Sequence, residues 1–180
     1  GTAISVAMDM TEGVVARFRT MAIFRSALLV GHVLGSVTQC LLSLAVVTGV
    51  AVLIGFRPSA SPVEWVAAIG VLALISLALT WLAVAFGMVA KTVESASNLP
   101  MPLVFLPFLG SGFVPTDSMP TGLRWFAEYQ PFTPLIETVR GLLLGTPIGN
   151  DAVIGIAWGV GITLLGYLWA RRLYDRDPVR

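Results

Sequence analysis

Few side chains in this sequence are of types that perform chemistry, and they are scattered. The chain has one histidine, His32, and one cysteine, Cys40, each inside an apolar run. One histidine and one cysteine without HExxH-type spacing predict no metal site. His32 fits either a proton relay or a hydrogen-bonded packing role. Packing is favoured because the apolar run around His32 contains no acidic residue.

Ser111 lies between two glycines and is the candidate nucleophile of the sequence. With His32 it would form the dyad of an intramembrane serine protease, which needs the base within hydrogen-bond reach of the serine. The predicted order of the membrane spans places Ser111 near the outer face of a membrane and His32 near the inner face. The enzyme interpretation is therefore disfavoured, and we expect no catalytic residue in this chain.

Glu137 and Arg140 are three residues apart in TPLIETVRGLLLG, so their side chains can pair on a helix. Glu128 lies nearby in the sequence. These three residues are candidates for an external gate that acts on a solute. A purely structural ion pair explains Glu137 and Arg140 equally well, and both interpretations stay open.

The elements that position these residues are predicted to lie in a membrane. Of the 180 residues, 56% are hydrophobic and 12% are charged, which is typical of an integral membrane protein. The 11 basic residues are dispersed among apolar runs and form no continuous stripe, which argues against nucleic-acid binding. We predict a single all-α transmembrane domain, residues 1–180.

Apolar runs long enough to cross a membrane alternate with short polar stretches. Pro100, Pro102 and Pro107 predict a kink in the third of the complete runs. The expected segments are the end of a span (1–8), a cytoplasmic elbow (9–26), spans at 27–56, 64–90 and 95–114, an external re-entrant segment (115–150), a last span (152–170) and a cytoplasmic tail (171–180).

Basic residues set the expected orientation, because Lys and Arg accumulate on the cytoplasmic side of membrane proteins. With the elbow, the 91–98 loop and the tail inside, eight of the 11 basic residues are cytoplasmic. The remaining three, Arg57, Arg124 and Arg140, are external. This topology requires that residues 115–150 enter the membrane from outside without crossing it.

The elbow, residues 9–26, is polar and basic and carries apolar residues at helical spacing. It is expected either to receive force from a soluble partner or to act only as a basic loop that fixes topology. The residue types favour neither interpretation. The candidate coupling residues are Glu12, Gly13, Arg17, Phe18, Arg19 and Met21.

Two small-residue repeats lie in the predicted spans, Gly31 with Gly35 and Gly155 with Gly159. Such repeats let helices approach closely, and packing within one subunit is favoured over a dimer seam. The sequence contains no GxxxxGK[ST] motif, so a nucleotide site would have to come from another polypeptide.

Two stretches of the chain resemble a known family. The segment EGVVARFRTMAIFRSALLVGHVLGSV, 12–37, resembles the region after the second span of type 2 ABC exporter permeases, especially the daunorubicin-resistance branch. The segment at 105–145 is similar to the signature before the last span of that family, with its FVP, MP, WF-A, P-x-T and R-x-LL-G elements in order. Ala22 stands where the family usually has proline, and Gln130 where it usually has asparagine.

The resemblance implies the C-terminal part of a six-span permease bundle, so the first span and most of the second are expected to be missing from this sequence. It implies a multi-pass protein of a bacterial cell membrane that exports drugs, lipids or other amphiphilic solutes. The implied partners are a second permease copy, identical or paralogous, and a cytoplasmic ABC ATPase that binds ATP–Mg and hydrolyses the ATP. This chain itself is expected to bind no cofactor, and the segment matched by 10–26 corresponds to the family's coupling helix.

A channel or an ion-coupled carrier that works without an ATPase is the alternative from another functional class. It would need charged residues inside the spans, and the predicted spans offer His32 alone.

Overall fold

The computed structural model describes residues 2–11, 27–113 and 116–176. Every regular element in those ranges is helical, in agreement with the all-α prediction. Two short 3₁₀ turns, Leu106–Leu109 and Thr116–Ser118, add to the α-helices. The α-helices are α1 (Thr2–Thr11), α2 (Ala27–Ile54), α3 (Pro62–Val89), α4 (Val93–Asn98), α5 (Met101–Phe105), α6 (Thr121–Tyr129), α7 (Phe132–Leu144) and α8 (Asp151–Arg176).

Three of these helices are long and apolar enough to cross a membrane. They contain 28, 28 and 26 residues in α2, α3 and α8, against about 20 needed to cross the hydrocarbon core. The most apolar 18-residue stretch of α2 contains no buried residue. The three helices lie close to the predicted spans at 27–56, 64–90 and 152–170.

Local sequence explains where the long helices begin and end. At the start of α3, the Ser61 backbone N–H donates to the Glu64 carboxylate at 2.6 Å, and the Glu64 N–H donates to the Ser61 hydroxyl at 3.4 Å. This reciprocal pattern is a capping box, with Pro62 at the first helical position. Gly55, with a φ of 118°, follows the end of α2. That backbone conformation is strained for any residue except glycine.

The predicted span at 95–114 is not one continuous helix. It is divided into α4, α5, a 3₁₀ turn and an irregular turn at 110–113. Pro100, Pro102 and Pro107 each remove a backbone N–H donor, and proline also disfavours helical geometry in the residue before it. Breaks in the hydrogen-bond ladder therefore coincide with the prolines. Whether this broken segment crosses the membrane stays a prediction.

The chain divides into two compact units, and α2, α3 and α8 each contribute to both. The first unit comprises Gly1–Cys40, Ser76–Met101 and Ile162–Arg180. Its apolar core is formed by α1, α2, α3 and α8, and the ring centroids of Trp81 and Tyr167 are 5.0 Å apart in an edge-to-face contact. Core side chains include Val6, Leu29, Val33, Trp81, Val84, Ala170 and Tyr174.

The second unit comprises Leu41–Ile75 and Pro102–Gly161. Within it, the turn after α2 reaches the end of α7, because the Ser59 N–H donates to the Leu143 carbonyl at 3.1 Å. Gly145 directly follows the last residue of α7 and has a left-handed φ of 71°. Its N–H donates to the Gly141 carbonyl at 2.9 Å, which caps the end of the helix.

Candidate functional site

The predicted coupling residues lie outside the described part of the chain. All six, Glu12, Gly13, Arg17, Phe18, Arg19 and Met21, lie between residues 11 and 27, outside the described ranges. Their coupling role therefore stays a prediction. The structure does show that α1 continues to Thr11, so the first three residues predicted for the elbow belong to α1.

Glu137 and Arg140 form the ion pair that their spacing predicts. The Arg140 guanidinium donates to the Glu137 carboxylate at 2.7 Å, and both side chains are about one third exposed. A second guanidinium nitrogen of Arg140 donates to the backbone carbonyl of Ser111 at 2.9 Å. The pair thus connects α7 to the turn at residues 110–112, which the sequence alone did not indicate. A gating role for the pair is not tested by these contacts.

The turn at residues 110–112 packs against the start of α7 through a buried polar cluster. The Thr133 hydroxyl donates to the Ala127 carbonyl and accepts from the Ser111 N–H at 3.4 Å. Because its one hydrogen is used on Ala127, it can only accept from the Gln130 amide, also at 3.4 Å. A Cβ atom on Gly110 would collide with the Gln130 amide nitrogen, so only glycine fits there without movement.

Two polar atoms in this cluster have no hydrogen-bond partner among the described residues, the Ser111 hydroxyl and the Gln130 side-chain carbonyl. Their residues are only 3% and 4% exposed. A serine nucleophile needs a base at hydrogen-bond distance, and none is present here in the described chain. The geometry therefore gives no support to the serine–histidine dyad. The contacts of Thr133 with Gln130 and Ala127 are local in sequence, but the bond from the Ser111 N–H spans 22 residues, so the sequence alone did not indicate the cluster.

Glu128 belongs to a different ion-pair network from Glu137 and Arg140. The Arg124 guanidinium contacts Glu128 at 2.7 Å and Asp117 at 2.9 Å, and all three side chains are at least 40% exposed. The hydrogen bond from Arg124 to Glu128 is the largest cause of a raised pKa at Arg124, and the charge of Asp117 adds to it. The prediction grouped Glu128 with Glu137 and Arg140, and the structure pairs it instead along α6.

His32 has an acidic partner that lies on another helix. Its Nε2 atom is 2.6 Å from the Asp9 carboxylate, and the two side chains are 22% and 28% exposed. The apolar run around His32 contains no acidic residue, and Asp9 falls in the segment predicted as the cytoplasmic elbow. Asp and His are both rare in apolar helices, where each needs a hydrogen-bond partner, and this rarity could have indicated the pair.

The two glycine repeats differ in their surroundings. A Cβ on Gly155 would lie 3.0 Å from Leu135, and one on Gly159 would lie 2.8 Å from Leu74, so these glycines allow close side-chain contact. Gly31 and Gly35 have open space within 4 Å among the described atoms. The packing role predicted for Gly31 and Gly35 thus has no partner in the part of this chain that the structure describes.

The described residues contain no group of three or more His, Cys, Asp or Glu side chains that could hold a metal ion. Their polar chemistry is limited to hydrogen bonds and ion pairs that connect helices. Such connections suit a helical membrane protein that positions or moves its segments.

Residues 1–144 match the model of a protein family described as "ABC-2 type transporter". The daunorubicin resistance ABC transporter permease protein DrrB1 of Streptomyces coeruleorubidus is 28% identical over 174 residues, which cover 96% of this chain and 62% of that protein. The probable doxorubicin resistance ABC transporter permease protein DrrC, found in two strains of Mycobacterium tuberculosis, is 22% identical over 163 residues, which cover 91% of this chain and 59% of DrrC.

The chain thus spans about three fifths of the length of these curated relatives. No solved structure matches it significantly. The relatives are transport subunits of bacterial ABC systems, which agrees with the expectation of a transport component and not an enzyme. The resemblance to daunorubicin-resistance permeases is confirmed, and the chain belongs to the ABC-2 type transporter family.

Proposed function

We propose that this chain is part of the membrane permease of an ABC exporter, located in a bacterial cell membrane, which moves drugs, lipids or other amphiphilic solutes. The observation that carries the proposal is the match of 96% of the chain to a permease named for daunorubicin resistance. Three long apolar helices provide the membrane-spanning elements that such a permease needs. The names of the relatives mention daunorubicin and doxorubicin resistance, which supports drugs as solutes, and the lipids and other amphiphiles are what the family resemblance implies.

The energy for transport comes from a separate subunit in this proposal. The sequence contains no phosphate-binding GxxxxGK[ST] motif, so ATP–Mg is bound by a cytoplasmic ABC ATPase and not by this chain. A second permease copy completes the assembly, and the exposed apolar side chains of α2 are available to that copy or to lipid. The elbow is the segment proposed to contact the ATPase.

The division of the chain into two units supports the proposed topology. All segments predicted to be cytoplasmic fall in the first unit, and the turn at 57–61 and the segment 115–150 fall in the second. Of the 11 basic residues, eight belong to the first unit and three to the second. Lys and Arg are enriched on the cytoplasmic side, so the elbow, the 91–98 loop and the tail, which carry those eight residues, are proposed to be cytoplasmic.

The proposed topology also requires that the proline-broken segment at 93–113 crosses the membrane. α2 would run outward and α3 inward, and α8 must then run inward to place Arg171 and Arg172 in the cytoplasm. The chain between α3 and α8 therefore has to reach the outer side, and the proline-broken segment at 93–113 is the proposed crossing. Its irregular backbone needs hydrogen-bond partners in a membrane, such as the Arg140 bond to the Ser111 carbonyl.

The ion-coupled carrier alternative has little support in the described spans. α2 contains no Asp, Glu, Lys or Arg, and Glu64 and Asp151 lie in the first turns of α3 and α8. The Asp9–His32 pair is the one candidate for ion coupling among the described contacts. An ATP-dependent transport assay separates the two classes, because a carrier would work without ATP hydrolysis.

The proposal is tested by co-purification of the full-length permease with a co-expressed ABC ATPase from the same genome, together with ATP-dependent uptake of daunorubicin into inverted vesicles. Arg17→Glu and Phe18→Ala in the elbow should each abolish co-purification and uptake while leaving membrane insertion intact. Aromatic and arginine anchors dominate many interfaces, with truncation costing about 2 kcal/mol or more. Arg57→Glu is the matched control, because Arg57 is an exposed basic residue of the second unit.

Wild-type binding and uptake in both elbow variants would mean that the elbow is only a topology signal. Failure of the wild-type protein to bind any ABC ATPase, with daunorubicin uptake that does not depend on ATP, would favour the carrier.

A further inference from the structure

The contact between Asp9 and His32 joins the two helices that flank the elbow. Asp9 lies near the end of α1 and His32 near the start of α2, and their side-chain atoms are 2.6 Å apart although the residues are 23 positions apart in sequence. A second hydrogen bond, 2.7 Å between the Thr2 and Ser36 hydroxyls, joins the same helices further from the elbow. The order of the two contacts makes α1 antiparallel to the start of α2.

Both members of the pair have strong reasons to stay together. His32 is the one histidine of the chain, and both side chains are largely shielded by neighbouring groups. Leaving a carboxylate or an imidazole unpaired in an apolar environment costs much more free energy than leaving the two hydrogen-bonded to one another. A bond to a charged partner is also stronger than one between neutral groups. We therefore expect the two side chains to stay paired.

α1 is held tightly enough to transmit a displacement. Ala3, Val6 and Ala7 are buried, and the backbone of α1 approaches Gly87 of α3 so closely that a Cβ there would lie 2.5 Å from the Ala3 carbonyl oxygen. α1 also packs against α4, which follows α3 in the chain. A movement of α1 must therefore be passed to α3 and α4.

A force on the elbow acts first on the ends of the two helices to which it is joined. Asp9–His32 is the bonded side-chain pair nearest to those ends among the described residues. Val6 of α1 already shares a buried apolar core with Leu29 and Val33 of α2, and the bond adds a direct polar connection beside the elbow. Without it, we expect a displaced elbow to shift the end of α1 against the start of α2, so that part of the movement is lost locally. With the bond in place, the two helices must shift together.

We propose that the Asp9–His32 bond is a clasp that makes α1 and α2 move as one body, so that movement of the elbow reaches the membrane helices. Asp9 and His32 are positioning residues in this role and contact neither ATP nor solute. The inference rests on the proposed function, since it presupposes that an ATPase acts on the elbow. It assigns to an intramembrane histidine a mechanical role instead of proton transfer.

The test uses the full-length permease co-expressed with its ATPase and reconstituted in lipid vesicles. Two quantities are measured, ATP hydrolysis and the amount of daunorubicin transported per ATP hydrolysed. The Asp9→Leu/His32→Leu double variant removes the bond without leaving either group unpaired in an apolar setting. It should bind the ATPase normally and hydrolyse ATP, but transport per ATP should fall clearly below that of wild type, because the direct connection between α1 and α2 beside the elbow is lost.

Two further variants distinguish a clasp from a general loss of stability. The exchanged pair Asp9→His/His32→Asp restores a carboxylate–imidazole bond and should recover transport per ATP to within about twofold of wild type. Ser36→Ala removes the second bond between the same helices away from the elbow, and it should leave the ratio unchanged.

Wild-type transport per ATP in the double leucine variant would overturn the clasp while leaving the exporter proposal intact. Failure of the exchanged pair to recover transport, despite normal expression and ATPase binding, would also overturn it. If the wild-type protein itself shows no ATP-dependent transport, the proposed function fails and the clasp fails with it.

Discussion

Arg140 on α7 donates a hydrogen bond to the backbone carbonyl of Ser111, 29 residues earlier in the chain, at 2.9 Å. The same guanidinium holds the Glu137 carboxylate at 2.7 Å. One cationic side chain thus stabilises both an acidic residue and an irregular backbone turn. Such a turn has no helical ladder to satisfy its carbonyl groups, so an arginine can replace the missing donors.

Arg140→Leu should destabilise the protein more than Glu137→Leu. The first change leaves two acceptors without their donor, whereas the second leaves Arg140 bonded to Ser111. An abandoned acceptor costs about 1–3 kcal/mol in a buried residue such as Ser111, and less at the Glu137 carboxylate, which is one third exposed. Thermal unfolding of the purified protein in detergent measures the difference.

Arg124→Leu is the matched control for this comparison. Arg124 also pairs with two carboxylates, but on an exposed helix, where ion pairs contribute little. Its unfolding midpoint should match that of wild type. Equal destabilisation by Arg140→Leu and Glu137→Leu would show that the bond to the Ser111 carbonyl contributes nothing.

The spans and one ion pair could be predicted from the sequence, because both depend on residues close together in the chain. Hydrophobic runs mark α2, α3 and α8, and a spacing of three residues on a helix brings Glu137 to Arg140. The Asp9–His32 pair could not be predicted in this way, because it depends on how α1 folds back onto α2. The three prolines of the 95–114 segment predicted a kink, but not where its helices would end.

Ser111→Ala should leave both stability and transport unchanged, whereas Thr133→Val should destabilise the protein. The Ser111 hydroxyl has no partner in the described chain, so its removal breaks no bond. The Thr133 hydroxyl bonds to Ala127, Ser111 and Gln130, and valine has the same shape without the polar group. We expect a loss of about 1–3 kcal/mol for Thr133→Val.

Chemical denaturation in mixed micelles measures both variants, and daunorubicin uptake reports on function. A complete loss of transport in Ser111→Ala, with normal expression, would revive a catalytic role for the serine.

Cysteines placed at Ser97 and Thr121 should be labelled from opposite sides of the membrane. Both residues are exposed, and they lie in the predicted cytoplasmic loop at 91–98 and in the predicted external segment at 115–150 respectively. A Cys40→Ser background removes the native thiol while keeping an acceptor for the Ser76 hydroxyl, which now bonds to sulfur at 3.2 Å. In intact cells, an impermeant maleimide should label only the cysteine at 121. Labelling at both positions would contradict the proposed topology.

Gly87→Ala should destabilise the protein, and Gly70→Ala, on the same helix, should not. A Cβ at position 87 would lie 2.5 Å from the Ala3 carbonyl oxygen and 3.0 Å from the Val6 Cβ. These atoms are backbone or next to it, so they cannot rotate away and α1 itself must move. Overpacking of this kind costs about 1–3 kcal/mol. At position 70 the same methyl group meets no described atom within 4 Å. Thermal unfolding in detergent compares the two variants.

Because a displaced α1 also carries Asp9 away from His32, Gly87→Ala should reduce transport per ATP as well. A Gly87→Ala protein that is destabilised but has wild-type transport per ATP would show that α1 can shift without opening the Asp9–His32 contact.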